Sequence, residues 1–280
     1  MDNIWLEHQI TDEERKTFER DGYFTVENAI SGDRVERLTA ALDRITAEDK
    51  AKLKLGAQDR INILDFLGRD DEFLPLLDWH KTFPKVWGIL GWNIQLYHSH
   101  TIISPPDPPD APKQKRLGWH KDSGRLNWEL ETNPQPMISL KVAFFLSDTS
   151  ELGRANLYVI PGSHLVNTLD HPKEGLPEGA IAVRAKAGDA VFFDRRIWHA
   201  SSPNTSDITR KVLFYGYSYR WLRPRDDMTV DHYFERCNPI QRQLLGAAPS
   251  GKHGYSSPKP EDVPLRDWME AHLSSDQIRA

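Results

Sequence analysis

The spacing of apolar residues changes once along the chain, near residue 94. Upstream the period is helical: Val35, Leu38, Ala41, Leu42 and Ile45 form one face of a helix capped by Ser31. Thr11, followed by Asp12, Glu13 and Glu14, is an N-cap with acidic groups in the first turn, where the helix dipole favours them. That helix is expected to stop near Asp21-Gly22, with Tyr23, Phe24 and Val26 as a short strand. Residues 62–67 are apolar without a clear period. Phe73, Leu76 and Leu77 then lead into a helix through Val86 and Leu90 that Gly91 ends.

From Ile94 to Ile103 the chain alternates and is rich in β-formers, which predicts a strand. Residues 104–112 cannot be helix or interior strand, because their prolines lack the N–H that both need. With Lys113, Lys115 and Arg116 they make a long exposed loop, either a lid over a site or a solvated linker. Downstream, Ile138, Leu140, Val142, Phe144 and Leu146 alternate with Ser139, Lys141, Ala143 and Phe145. Residues 157–160 form a strand ended by Pro161-Gly162-Ser163-His164. Residues 181–186 and 190–193 read as a hairpin around Gly188-Asp189, and 211–219 as a last strand. Short strands with Gly and Pro turns and no intervening helices predict an antiparallel barrel or jelly roll. The expected fold is mainly β with flanking helices, in a single domain spanning 1–280. Within it 1–93 is mainly helical support, 94–220 the β core, and 221–280 a tail with helices, including a helix-like run over 230–245.

Composition narrows the function classes. A hydrophobic share of 39% and a charged share of 28% are those of an ordinary globular chain. A formal net charge of −5 leaves no basic footprint for nucleic acid or an anionic membrane. Cys237 is the single cysteine, so no intrachain disulfide is possible, and a reducing, cytoplasmic setting is expected.

The candidate chemistry sits in Trp119-His120-Lys121-Asp122 and, much later, Trp198-His199-Ala200-Ser201. On a strand, residues i and i+2 point the same way, so His120 and Asp122 can converge on one ion. With His199 they make a two-histidine, one-carboxylate set, which suits non-haem Fe(II) with open positions for O2. If the turn at 203–207 makes a hairpin, Arg210 lies across from about Ala200, near His199 and Ser201. A guanidinium there can grip the far carboxylate of a dicarboxylic co-substrate such as 2-oxoglutarate, with the Ser201 hydroxyl adding a hydrogen bond. His98 and His100 share a strand face, either as half-buried histidines satisfied by neighbours or as metal ligands. Lys141 is a pocket cation or a lysine reaching for solvent. The remaining substrate pocket is expected from the 104–116 loop, from residues 123–133 with Arg125, and from the tail with Trp221, where Arg220, Arg223 and Arg225 cluster. Two other classes fit part of this pattern. One is a Zn or Mn hydrolase or isomerase without 2-oxoglutarate, and the other a non-catalytic barrel that binds a small molecule.

Taken together, His120-x-Asp122, the Pro161–His164 turn, Gly188-Asp189 ahead of His199, and the trailing Ser201 and Arg210 resemble the phytanoyl-CoA dioxygenase family, which also includes ectoine hydroxylase. The resemblance runs from about Glu13 to Trp221. It implies a double-stranded β-helix (jelly-roll, cupin-like) core and an oxygenase that uses Fe(II), 2-oxoglutarate and O2 and releases succinate and CO2. It implies His120, Asp122 and His199 as the iron ligands and catalytic set, and Ser201 and Arg210 as the grip on the C5 carboxylate. His98 or His100 would lie near the co-substrate. Ser104 departs from the pattern, since many members have lysine before the proline pair. Halogenases of the family have a small residue in place of Asp122, so the carboxylate implies hydroxylation or a related oxidation. The expected substrate is a small-molecule metabolite with an unactivated C–H, with no nucleic acid or membrane partner.

Overall fold

The period-two segments build two antiparallel sheets that face each other. The computed structural model describes residues 3–112, 114–170 and 172–278; Lys113, in the loop expected over 104–116, lies outside them. In chain order the strands are β1 (Tyr23–Val26), β2 (Ile61–Leu64), β3 (Ile94–Ser104), β4 (Ser139–Phe145), β5 (Leu157–Val159), β6 (Ile181–Ala182), β7 (Ala190–Asp194), β8 (His199–Ser201) and β9 (Arg210–Tyr219). The larger sheet runs β1-β7-β4-β9-β3-β2 and the smaller β6-β5-β8. An isolated antiparallel bridge between His120 and His199 adds one more segment beside β8. This is a jelly roll with flanking helices.

Strand β4 shows why both of its faces are buried. Leu140, Val142 and Phe144 face outward into the core shared with Leu38 and Leu42 of α2 (Gly32–Leu53) and Val86 of α3 (Phe83–Leu90). Ala143 and Phe145 pack inward with Val159, Val191, Phe193, Val212 and Phe214, which fill the barrel. Each of the Leu, Val and Phe side chains contributes roughly 1.5–3 kcal/mol when fully buried. The mixed face of β4 is therefore the barrel interior, and Lys141 belongs to it. On the outer side, Tyr215 and Tyr217 donate hydroxyl hydrogen bonds of 2.7 Å to the carbonyls of Phe73 and Leu77, which ties the loops before α3 to the sheet.

Helix α1 (Asp12–Asp21) begins with a capping box between Thr11 and Glu14 and ends at Gly22, whose φ of 82° needs glycine. The apolar 62–67 segment supplies β2. With β1 it makes the two edges of the larger sheet, so the sheet draws on the first ninety residues as well as on 94–220.

Three local expectations fail. Residues 181–193 are not a hairpin: β6 pairs β5 in the smaller sheet, whereas β7 pairs β1 and β4 in the larger. Gly188-Asp189 is a turn that carries the chain between sheets, with Gly188 at φ 98° and too close to the Ile30 carbonyl for a side chain. Nor are β8 and β9 a hairpin. β8 pairs β5, and Arg210 at the start of β9 pairs Ser104 of β3. The helix-like run over 230–245 breaks into a 3-10 turn at Asp231–Tyr233 and α5 (Pro239–Leu244), because Pro239 fits only a helix start. Helices α5 and α6 (Pro264–His272) pack on the outer core through Ile240, Leu244, Leu265 and Trp268. Among the described residues no helix is long and apolar enough to cross a membrane.

Candidate active site

The metal-ligating types converge at the open end of the smaller sheet. His120 and His199 exchange both backbone hydrogen bonds at 3.0 Å, so the pairing sets them side by side, with ring centroids 4.3 Å apart. Each Nδ1 lies 2.9 Å from the carbonyl oxygen two residues upstream, of Gly118 and of Ile197. A carbonyl only accepts, so Nδ1 donates in both rings and Nε2 is the atom left to face a metal. That is the arrangement a metal requires, held by outer partners of the kind that orient ligating histidines. Asp122 follows, its N–H bonded to the Arg195 carbonyl at 2.9 Å and its own carbonyl receiving the Asn127 amide at 2.8 Å. Ser123 then turns with φ 61° to start the short helix Gly124–Glu129 (α4). One donor atom each of His120, Asp122 and His199 lies within 4.8 Å of the other two. Two imidazoles and a carboxylate on one side of an open cavity fit iron(II).

Electrostatics favour the same fit. Burial lowers the pKa of His199 to about 4, against the pull of Asp122, so the ring is neutral at physiological pH. Burial disfavours the charge on Asp122, but the Lys141 ammonium, with Nζ 2.8 Å from Oδ2, outweighs it and holds the carboxyl well below its usual range. Lys141 is buried, stands 5.7–5.8 Å over the rings of Phe193 and Phe214, and is thus a pocket cation.

These groups line a cavity of about 180 Å³ that runs between the sheets. Arg210 and Ser201 both line it, from opposite sheets and not from one hairpin. Arg210 is 2% exposed and its Nε has no partner. Burial, then the nearby Arg60, lowers its pKa to about 9, which still leaves a cation at neutral pH. The Ser201 hydroxyl makes only long contacts of 3.4 Å to the carbonyls of Ala155 and Ser202. His98 and His100 also line the cavity, stacked on each other at 4.4 Å and on Phe214 at 4.5 Å. Gly216 lets the His98 ring lie against β9, where a Cβ would come within 2.6 Å of it. Burial lowers the pKa of both rings. They stand apart from the convergent set of His120, Asp122 and His199.

Two residues expected in the pocket do not line it. Arg125 points to solvent and pairs with Glu129 one helical turn on. Trp221 is half exposed and stacks on Tyr219 outside the cavity. Arg220, in the same cluster, is buried and donates to the carbonyls of Gly254 and Ala247, which fastens the tail. Arg60, Asn62, Leu64 and Arg225 line the mouth and carry no sequence motif. A signal for β2 existed: buried Ile61 and Ile63 alternate with exposed Asn62 and Leu64.

Known proteins resemble this chain in sequence and in fold. Ectoine dioxygenase of Bordetella parapertussis is 25% identical over 72% of this chain and 73% of its own length. The peroxisomal phytanoyl-CoA dioxygenase of Mus musculus is 24% identical over 73% of this chain and 67% of its own. Among solved structures, HygX from Streptomyces hygroscopicus, with nickel and 2-oxoglutarate bound, superposes with a TM-score of 0.62 at 15% identity, over 77% of this chain and 90% of its own. EctD from S. alaskensis gives a TM-score of 0.60 at 22% identity, over 78% and 81%. The model of one family, phytanoyl-CoA dioxygenase, matches residues 18–212, from the end of α1 through the whole constellation to the start of β9, and the chain belongs to that family.

Proposed function

We propose that this enzyme is an Fe(II)- and 2-oxoglutarate-dependent dioxygenase in which His120, Asp122 and His199 hold the iron and Arg210 with Ser201 holds the C5 carboxylate of the co-substrate. It hydroxylates an unactivated C–H of a small metabolite and releases succinate and CO2. The observation that carries this assignment is the pairing of two ends of one cavity. At one end are two imidazoles oriented through Nδ1, with Nε2 left to face a metal, beside a carboxylate. At the other is a buried guanidinium without a carboxylate partner among the described residues. A zinc or manganese hydrolase has no dicarboxylate for such an arginine to grip.

Bound iron with 2-oxoglutarate supplies the oxidising power; the protein's residues bind, orient and exclude water. The backbone pairing of His120 with His199 fixes the ring spacing. Lys141 Nζ lies 2.8 Å from Oδ2 of Asp122, the oxygen that also faces His199 Nε2 at 3.9 Å, so the ammonium holds the carboxylate in place beside the imidazole. Arg210, with five donors in a fixed plane, sets the depth and orientation of the co-substrate through a bidentate pair. Phe193, Phe214 and Leu157 keep that end apolar and dry. The lone buried Cys237 fits a reducing, cytoplasmic setting.

The test is ligand removal. His120→Ala, Asp122→Ala and His199→Ala should each stay folded, fail to take up iron(II), and lose 2-oxoglutarate turnover to background. The wild type with iron and 2-oxoglutarate, without oxygen, should show a weak visible charge-transfer band that all three variants lack. A variant that kept the band and most of the turnover would refute the ligand assignment.

A further inference from the structure

We propose that the substrate is an anion, gripped at the cavity mouth through a carboxylate or phosphate group by Arg60 and Arg225. The inference rests on the co-substrate assignment above and extends it to the second molecule of the reaction.

Arginines elsewhere in this protein are mostly neutralised: Arg44 by Asp70, Arg69 by Glu48 and Asp49, Arg154 by Asp148 and Glu151, Arg196 by Asp194, and Arg236 by Asp71. Those at the cavity are not. Among the described residues, neither the Arg60 nor the Arg225 side chain has an ion-pair or hydrogen-bond partner, although both line the mouth. The carboxylates nearest to them are engaged elsewhere. Asp107, whose field reaches Arg60, accepts the backbone N–H of Asn204 at 2.9 Å. Asp226, next to Arg225 in the chain, accepts the Ser99 N–H at 2.7 Å and turns its other oxygen toward His98 at 3.5 Å.

Charge balance gives the second argument. Four cations line the cavity, Arg60, Lys141, Arg210 and Arg225, against one carboxylate, Asp122. Iron(II) raises the excess to five, and 2-oxoglutarate, a dianion, cancels two. The metal end and Arg210 account for the two carboxylates of the co-substrate, so two of the three positive charges left over are those of Arg60 and Arg225. Bidentate, charge-assisted bonds to a carboxylate or phosphate are what guanidinium groups make best. Asn62, on β2, lines the same cavity and offers an amide donor to the same group.

Calorimetry on the protein loaded with iron(II) and 2-oxoglutarate, without oxygen, tests this. Loading is measured first; the probes are then butyrate, methyl phosphate and neutral butyramide. The wild type should bind at least one anion and not butyramide, and the preferred anion identifies carboxylate or phosphate. Arg60→Gln and Arg225→Gln should each weaken that anion about ten-fold, and leave 2-oxoglutarate binding as in the wild type. The proposal is overturned if neither anion binds, or if both variants bind it as the wild type does. It is equally overturned if the variants weaken 2-oxoglutarate instead, since the two arginines would then belong to the co-substrate. A wild type that takes up no 2-oxoglutarate brings down the co-substrate assignment itself, and the loading step tells that failure apart.

Discussion

The two sheets of the barrel contribute different things to one cavity. The smaller sheet has strands of two or three residues and supplies His199 and Ser201, with His120 bridged beside them. The larger sheet has strands of up to eleven residues and supplies His98, His100, Lys141 and Arg210. In the smaller sheet every candidate ligand is anchored through its own backbone or through a carbonyl two residues away. In the larger sheet the cations are held by burial among aromatic rings, and among the described residues Arg210 has no carboxylate partner. Ligand geometry, which must be right to a fraction of an ångström, comes from strand register. Charge, which acts over longer distances, comes from long buried strands that tolerate a costly cation because their hydrophobic burial offsets it.

This contrast can be broken at the Lys141–Asp122 contact, which joins the larger sheet to the candidate ligands. Lys141→Met removes the buried partner of Asp122 and leaves an uncompensated carboxylate, a loss of about 3–5 kcal/mol in the metal-free protein. Denaturant midpoints should show that deficit, and iron(II) should shrink it, because the ion replaces the ammonium as counter-charge. A deficit that iron leaves unchanged would mean that Lys141 serves the sheet and not the site.

Arg210 tests the larger sheet alone. Arg210→Ala should raise the 2-oxoglutarate requirement by about 2–5 kcal/mol, roughly thirty-fold or more, with iron affinity nearly unaltered. Arg210→Lys should recover only part, since an ammonium cannot make two parallel bonds. Co-substrate titration of succinate formation, paired with metal binding on the same variants, measures both. An unaltered co-substrate dependence would favour a zinc or manganese site.

The smallest effect belongs to the smaller sheet's hydroxyl. Ser201→Ala deletes one neutral donor, worth about 0.5–1.5 kcal/mol, and should weaken 2-oxoglutarate a few-fold in the same titration. A loss as large as that of Arg210→Ala would show that the serine acts on the metal end.

The residues themselves determined a good deal. Period-two runs at 94–103, 138–146 and 211–219 became β3, β4 and β9, and the box at Thr11 and Glu14 became a helix start, because side-chain alternation and capping are local physics. His-x-Asp with a distant His, trailed by Ser and Arg, was legible as one constellation because strand geometry puts i and i+2 on one face. Partnership between segments was decided only by the tertiary structure. Local pattern gives a strand its faces but not its neighbour, so 181–193 and 199–210 read as hairpins when each crosses from one sheet to the other. That crossing puts Ser201 and Arg210 on opposite walls of the cavity, and it settles the two options for Lys141 in favour of the interior. It also leaves Arg125 and Trp221 outside and brings Arg60 and Arg225 in. A charge on a loop or strand edge has no sequence pattern of its own, and only the packed sheets decide which space it faces.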